Sequence, residues 1–258
     1  YTLAAEINND YPWRAQFQHL KTIGIDKLAD SFEGFVIIDV RSFFEYEVLH
    51  INHAINIPVH EKRFEQKLQT AVPRQNGRII FYCNGHSCPK SYKAADKALK
   101  IGYTNIRVFD GGVYDWADRF PQKTTMLWKT PVKKGVVIPQ FKFLSHQVSY
   151  KKFISLAKQE SSVIIDIRHD DQRFNRSGDL LSLEALRGIS RSRHRRVKLI
   201  RIKNLLLAKA FKGRTLLFYD GTGNQTKSLQ YILESVNHGE YYFLKGGVLR
   251  VIGADGFL

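Results

Sequence analysis

Cysteine is nearly absent: Cys83 and Cys88 are the only two in 258 residues. That excludes a disulfide framework as the source of stability. Both lie in one short stretch, which points to chemistry rather than stapling. No run approaches the roughly 18 uninterrupted apolar residues that a membrane span needs. The single methionine is Met126, so the chain as given has no initiator. Either a leader was removed or the chain was trimmed; a cleaved secretory signal gives the expectation of a periplasmic or secreted protein, with a cytoplasmic one as the alternative. Acids are scarce as well, 24 Asp and Glu against 40 Lys and Arg, for a net charge of +16. Such an excess suggests anionic substrates, partners or surfaces. Eight of the basic residues, Arg187, Arg191, Arg193, Arg195, Arg196, Lys198, Arg201 and Lys203, fall in one stretch that contains no acid. No zinc-finger spacing, RNP aromatics or KH-type loop accompanies them, so a solvated basic face is the preferred reading over a nucleic-acid site. With 43% hydrophobic residues the chain can bury a core.

The surroundings of Cys83 are the most informative feature present. It follows the apolar run Ile79-Ile80-Phe81-Tyr82, which reads as a buried strand. The turn-rich segment Asn84-Gly85-His86-Ser87-Cys88-Pro89-Lys90-Ser91 comes next, and a helical pattern then begins at Tyr92. A thiol is thus expected at a strand end, in a loop aimed at a helix N-terminus. Loop amides and the helix dipole there favour an anion. The thiol pKa should fall, and the thiolate is the nucleophile.

The chain also repeats itself. Val36-Ile37-Ile38-Asp39-Val40-Arg41 recurs as Val163-Ile164-Ile165-Asp166-Ile167-Arg168. Phe81-Tyr82-Cys83 recurs as Phe218-Tyr219-Asp220, and Lys90-Ser91 matches Lys227-Ser228 at the same spacing. Gly111-Gly112-Val113 recurs as Gly246-Gly247-Val248. Each motif returns at nearly the same distance along the chain, which indicates two copies of one domain of ordinary size. Within the first copy, helical patterns at 25–32 (with Asp26 able to cap), 64–68 and 91–100 alternate with strands at 35–40, 78–82 and 106–109, and 55–58 is a short extended piece. The expected class is α/β: two doubly wound domains, each a central, mostly parallel sheet flanked by helices. Residues 1–121 form the first domain with an N-terminal arm, 122–144 a linker and 145–258 the second copy.

These residues resemble the rhodanese family. Asp39-Val40-Arg41 followed by Glu45 through Pro58 is similar to the first signature of rhodanese domains. Phe81-Tyr82-Cys83 with Ala94-Ala95 and Leu99 resembles the active-site strand, loop and helix. Gly102-Tyr103, the segment from Val108 to Val113, and Trp116 resemble the closing segment. The resemblance covers roughly residues 20–120 and implies a sulfurtransferase. Cys83 would take a sulfane sulfur from a small anionic donor such as thiosulfate, hold it as a persulfide and pass it to a thiol, cyanide or protein acceptor. Breaking the donor S–S bond requires a thiolate, and a persulfide anion requires N–H donors. Gly85 would ease the loop's curl, and His86 and Lys90 would attract the donor. Asp39 and Arg41 carry over as scaffold, and no cofactor or metal is implied. Against the family's pattern, the loop from Cys83 to Ser91 is about two residues longer than the common form, Lys90 stands where an Arg is usual, and Leu49 replaces a Gly. The related phosphatases of this fold need an Arg six residues after the Cys; Pro89 stands there, so the phosphate fork is missing.

Cys88 has two readings: a resolving thiol that closes a disulfide with Cys83, or a passive loop cysteine. The functional alternative to catalysis is a non-enzymatic binding or redox-sensing protein that uses the Cys83/Cys88 loop and the basic surface. Two cysteines and His86 in so short a stretch lack zinc-ligand spacing. The second copy resembles a degenerate rhodanese domain with Asp220 at the nucleophile position, its first signature eroded at His169-Asp170-Asp171-Gln172. It reads as a structural or docking module, or as a decayed duplicate. Tyr11-Pro12-Trp13-Arg14 is expected to pack an N-terminal arm onto the first domain, and Trp116 to lie in the core. His50, His53 and His60 form no ligand triad. Asn175-Arg176-Ser177 is a glycosylation sequon that matters only in a eukaryotic secreted protein.

Overall fold

A computed structural model describes residues 10–168, 172–174, 178, 180–223 and 225–253. The eroded signature at 169–171, the sequon at 175–177 and Asn224 lie outside the described residues. The chain divides into two compact units, Tyr1–Val137 and Ile138–Leu258.

In the first unit the order is α1 (Ile25–Asp30), β1 (Val36–Asp39), α2 (Phe43–Val48), β2 (Leu49–Ile51), β3 (Ile55–Asn56), α3 (Phe64–Ala71), β4 (Ile79–Tyr82), α4 (Lys90–Lys100), β5 (Ile106–Phe109), α5 (Gly112–Arg119) and β6 (Thr124–Met126). The sheet runs β3-β1-β4-β5 with every pairing parallel. A parallel bridge between Thr22 and Val108 extends it beyond β5. Unbroken apolar runs suit such a sheet because both faces are covered. Ile79, Ile80, Phe81 and Tyr82 are all fully buried. Phe81 packs with Phe64, Tyr92, Ala94 and Ala98 from α3 and α4. Trp116 of α5, also fully buried, meets Phe109 edge-on at 6.1 Å between ring centroids. The first helix begins after Gly24 rather than under an Asp26 cap; Asp26 lies in its first turn and makes no cap bond.

The second unit contains α6 (Gln140–Ser145), β7 (Gln147–Val148), α7 (Tyr150–Ala157), β8 (Ser162–Asp166), β9 (His194–Arg196), α8 (Leu199–Leu207), β10 (Thr215–Tyr219), α9 (Thr226–Ser235), β11 (Tyr241–Leu244) and α10 (Gly247–Ile252). Its sheet order, β9-β8-β10-β11-β7, repeats the first, with β7 standing where the Thr22 bridge stands. All its pairings are parallel. The expected α/β class with parallel sheets flanked by helices is what the structure shows.

The stretch 122–144 corrects the linker expectation. Thr124–Met126 is a strand paired antiparallel with β2, Ile51 opposite Thr124 and Leu49 opposite Met126. Gln140–Ser145 is a helix of the second unit. The units part between Val137 and Ile138. A three-residue strand of sequence Thr-Thr-Met carries too little periodicity to be read from the chain. No helix among the described residues is long and apolar enough to cross a membrane.

Candidate active site

Cys83 is the first residue after β4, and its side chain has no solvent exposure. The loop 84–89 leaves the strand and curls into α4, whose N-cap position is Pro89. Proline offers no capping side chain, so the first-turn amides of α4 are open to another acceptor. Cys83 Sγ takes that place. Burial alone would raise its pKa. Hydrogen bonds from the Cys88 thiol, the Ser91 hydroxyl and the backbone amides of Gly85 and Ser91 outweigh burial and bring it down to about 6. The Ser91 Oγ contact is 3.4 Å, and in its protonated form the Cys83 thiol donates to the Cys88 carbonyl at 3.3 Å. Cys88 moves the opposite way: its bond to Cys83 and its own burial hold its proton on, well above the ordinary value.

Around the loop lies a buried polar frame. Ser42 and Glu45 form a capping box at the start of α2. The same Glu45 carboxylate accepts from Asn84 Nδ2 at 2.9 Å and lies 3.6 Å from Lys90 Nζ. One fully buried side chain therefore ties α2 to both ends of the Cys83 loop. Burial pushes Glu45 up, but Lys90, Arg41, Asn84 and Ser42 together draw it down to about 2. Lys90 is therefore paired with Glu45. Arg41, fully buried, grips Asp39 through Nε (3.0 Å) and Nη2 (2.6 Å), and reaches the Leu49 carbonyl at 2.6 Å and Asn84 Oδ1 at 3.3 Å. Asp39 and Arg41 thus form the expected scaffold. His86 Nε2 lies 2.7 Å from Asp115 Oδ2, so both basic residues of the loop already face a carboxylate.

The curl is fixed by backbone contact at two glycines. Gly85 has φ of 139° and Gly112 has φ of 73°, conformations that L side chains avoid. A Cβ on Gly112 would lie 2.3 Å from the Gly85 nitrogen. Next to this contact, the Val113 amide donates to the Cys83 carbonyl at 3.0 Å.

The N-terminal arm packs on this loop itself, a placement the sequence did not indicate. Trp13 Nε1 donates to the Ser87 carbonyl at 2.9 Å, and the Tyr11 ring stacks on His86 at 4.4 Å. Arg14 grips Asp110 at 2.7 and 3.1 Å; Asp110 also accepts from the Tyr92 hydroxyl of α4 at 2.5 Å. The loop residues singled out from sequence, Asn84 to Ser91, are all brought together here. Glu45, Asp110, Asp115 and the arm's seat on the loop were missed. Only Glu45 had a readable signal, the Ser-x-x-Glu spacing from Ser42, and that signal reports a helix start rather than a contact with Lys90.

In the second unit Asp220 stands at the matching point, directly after β10 and fully buried. Its carboxylate accepts from the Gly223 amide and from the Gln225 amide, the latter at 2.8 Å. The surroundings repeat: Arg168 grips Asp166 at 2.9 and 2.8 Å, the Val248 amide donates to the Asp220 carbonyl at 2.9 Å, and a Cβ on Gly247 would lie 2.5 Å from Gly221. Arg191, Arg195, Arg196, Lys198 and Arg201 of the basic stretch are exposed, while Arg193 is spent on the carbonyls of Ala157, Gln159 and Ser162. Among the described residues no group of three or more His, Cys, Asp or Glu side chains is gathered to hold a metal.

Comparison with known proteins fits this geometry. The chain is 36% identical over 80 residues to the thiosulfate sulfurtransferase PspE of Escherichia coli, covering 31% of this chain and 72% of that one. It is 30% identical over 90 residues to the thiosulfate:glutathione sulfurtransferase of Saccharomyces cerevisiae, covering 31% and 63%. It is also 30% identical over 105 residues to the tRNA uridine(34) hydroxylase of Erwinia tasmaniensis, covering 39% of this chain but only 29% of that protein. Residues 25–119 match the rhodanese-like domain. That span holds the β1 scaffold, the Cys83 loop and the Gly111-Gly112 turn beneath it, and through it the chain belongs to the rhodanese family.

Proposed function

We propose that the first unit is a sulfurtransferase whose nucleophile is Cys83. One observation carries this reading: a buried sulfur directly after a strand lies 3.4 Å from the Ser91 hydroxyl at the uncapped start of α4, where the amides of Gly85 and Ser91 favour its thiolate form. The similarity to relatives named thiosulfate sulfurtransferase and thiosulfate:glutathione sulfurtransferase supports the same chemistry here. The Cys83 thiolate attacks the outer sulfur of a thiosulfate-like donor, the donor S–S bond breaks, and sulfite leaves with the bonding electrons. The same amides then hold the Cys83 persulfide anion. A thiol or cyanide attacks its outer sulfur and returns Cys83 to the thiolate. Because Lys90 and His86 face Glu45 and Asp115, donor binding rests mainly on the loop's N–H groups.

The second unit, in this reading, is another copy of the domain that forms no persulfide. Asp220 fills its own ring of amides, and a carboxylate is a poor nucleophile toward sulfur.

Incubation with thiosulfate followed by intact mass and sulfite assay tests the proposal. The protein is expected to gain one sulfur and release sulfite; Cys83→Ser is expected to do neither, and Asp220→Asn to do both. Sulfur uptake that survives Cys83→Ser defeats the assignment.

A further inference from the structure

Cys88 is a second thiol in the Cys83 loop that makes or breaks no bond in this cycle, and its placement gives it such a step. The Cys88 amide donates to the Gly85 carbonyl at 2.8 Å, a turn that folds residue 88 back over residue 83. Cys83 Sγ then lies 3.3 Å from the Cys88 carbonyl. Both sit in the apolar cluster with Tyr92, Ala94 and Ala95, at 0% and 8% exposure. Cys83 has no solvent exposure, so an external acceptor has to be brought to a sulfur held there. A thiol carried on the same turn reacts without a second encounter, and positioned intramolecular groups reach effective concentrations of about 10⁵ M and above. The second unit supports the pairing: the counterparts of Cys83 and Cys88 are Asp220 and Gln225, so the loop that lacks one thiol lacks both.

We propose that Cys88 resolves the Cys83 persulfide, closing a Cys83–Cys88 disulfide and expelling the sulfane sulfur as hydrosulfide, so that a dithiol reductant completes the cycle. The step rests on the persulfide reading above. Cys88 Sγ attacks the inner sulfur, Cys83 Sγ. The bond between the two persulfide sulfurs breaks, and its electron pair leaves on the outer sulfur, which also takes the Cys88 proton. The sulfane sulfur is reduced by two electrons and the two cysteines are oxidised by two. A dithiol then reduces the disulfide and becomes a disulfide itself. The product is inorganic sulfide, so this chain would stand before a reaction that consumes sulfide, and beside a thiol–disulfide reductase that resets it.

The test is a single turnover of the pre-reduced protein with thiosulfate in the absence of any other thiol, following intact mass and free sulfide together. The protein is expected to pass through the sulfur adduct to a species lighter than the reduced chain by two hydrogens, with one equivalent of sulfide. Cys88→Ser and Cys88→Ala are expected to take up sulfur, which reports an intact site, and then hold it, with sulfide release slower by at least about tenfold. A persulfide equally long-lived on the unaltered protein, or equal sulfide release from the variants, overturns the proposal and leaves Cys83 transfer standing. Failure of all three chains to take up sulfur overturns the persulfide reading and this step with it.

Discussion

At the same point in two sheets of the same order, the chain places a thiol once and a carboxylate once. Cys83 follows β4 and Asp220 follows β10, each with a buried Asp–Arg pair on the neighbouring strand and a glycine crossing beneath. What differs is how the loop amides are satisfied. Around Asp220 they already have a carboxyl group of the chain itself as acceptor. Around Cys83 they face a sulfur whose thiolate form they favour, bringing its pKa down to about 6. A second difference follows. Glu45, six residues past Asp39, anchors Lys90 in the first unit; six residues past Asp166 stands the neutral Gln172, and Lys227 lies over the Phe143 ring instead. One architecture thus holds a thiol in one unit and a carboxyl group in the other, with the basic side chain of the loop paired differently in each.

The comparison breaks most severely at what the two loops share. Gly112→Ala and Gly247→Ala both force a side chain onto backbone at positive φ. Each is expected to destabilise its own unit by roughly 3–5 kcal/mol in chemical denaturation, and only Gly112→Ala to abolish sulfur uptake. Next come the anions. Asp220→Ala leaves the Gly223 and Gln225 amides without their acceptor and is expected to cost about 2–5 kcal/mol in the second unit. Cys83→Ser is expected to cost only about 1–2 kcal/mol, since a hydroxyl still accepts from the same amides. Equal losses would mean that the two rings are held alike.

The smallest effect is also the sharpest. The Cys83 thiol is depressed from the ordinary 9.0 to about 6, so its reactive thiolate is present above that value and is lost as pH falls through it. Alkylation of Cys83 is expected to be about tenfold slower at pH 5 than at pH 8, with the midpoint moving toward 9.0 in denaturant. By linkage, the charged sulfur stabilises the first unit fully above the unfolded value and not at all well below the folded one. A midpoint near 9 in the folded protein would remove the distinction between this thiol and any other.

Much of this was legible in the chain. Val36–Asp39, Ile79–Tyr82 and Ile106–Phe109 are apolar enough that a sheet buried on both faces is the natural solution, and the repeat at near-constant spacing marks the second unit. The Cys83 loop was legible because a thiol, a glycine and a helix start fall in order. The partners were not. Glu45, Asp115 and Trp13 reach the loop from α2, α5 and the N-terminal arm, all remote from Cys83 along the chain, and no local pattern encodes such contacts. Lys90 read as a donor-attracting charge because its partner was invisible. The β2–β6 pair was missed for a related reason: each strand is three residues long and takes its order from the other.

The two glycine crossings have one more consequence. Between the first residue of each loop and the shared Lys-Ser pair lie six positions, 84–89 and 221–226, and all six differ between the two units. Yet both loops span the same length and settle against a glycine of the following turn, where main chain meets main chain. Shape is therefore keyed to the backbone, and the lettering of the loop is left open to revision. Such a seat can accept a new nucleophile, a second thiol or a carboxylate without being rebuilt, which makes it a modular socket for trying out chemistries on a constant frame.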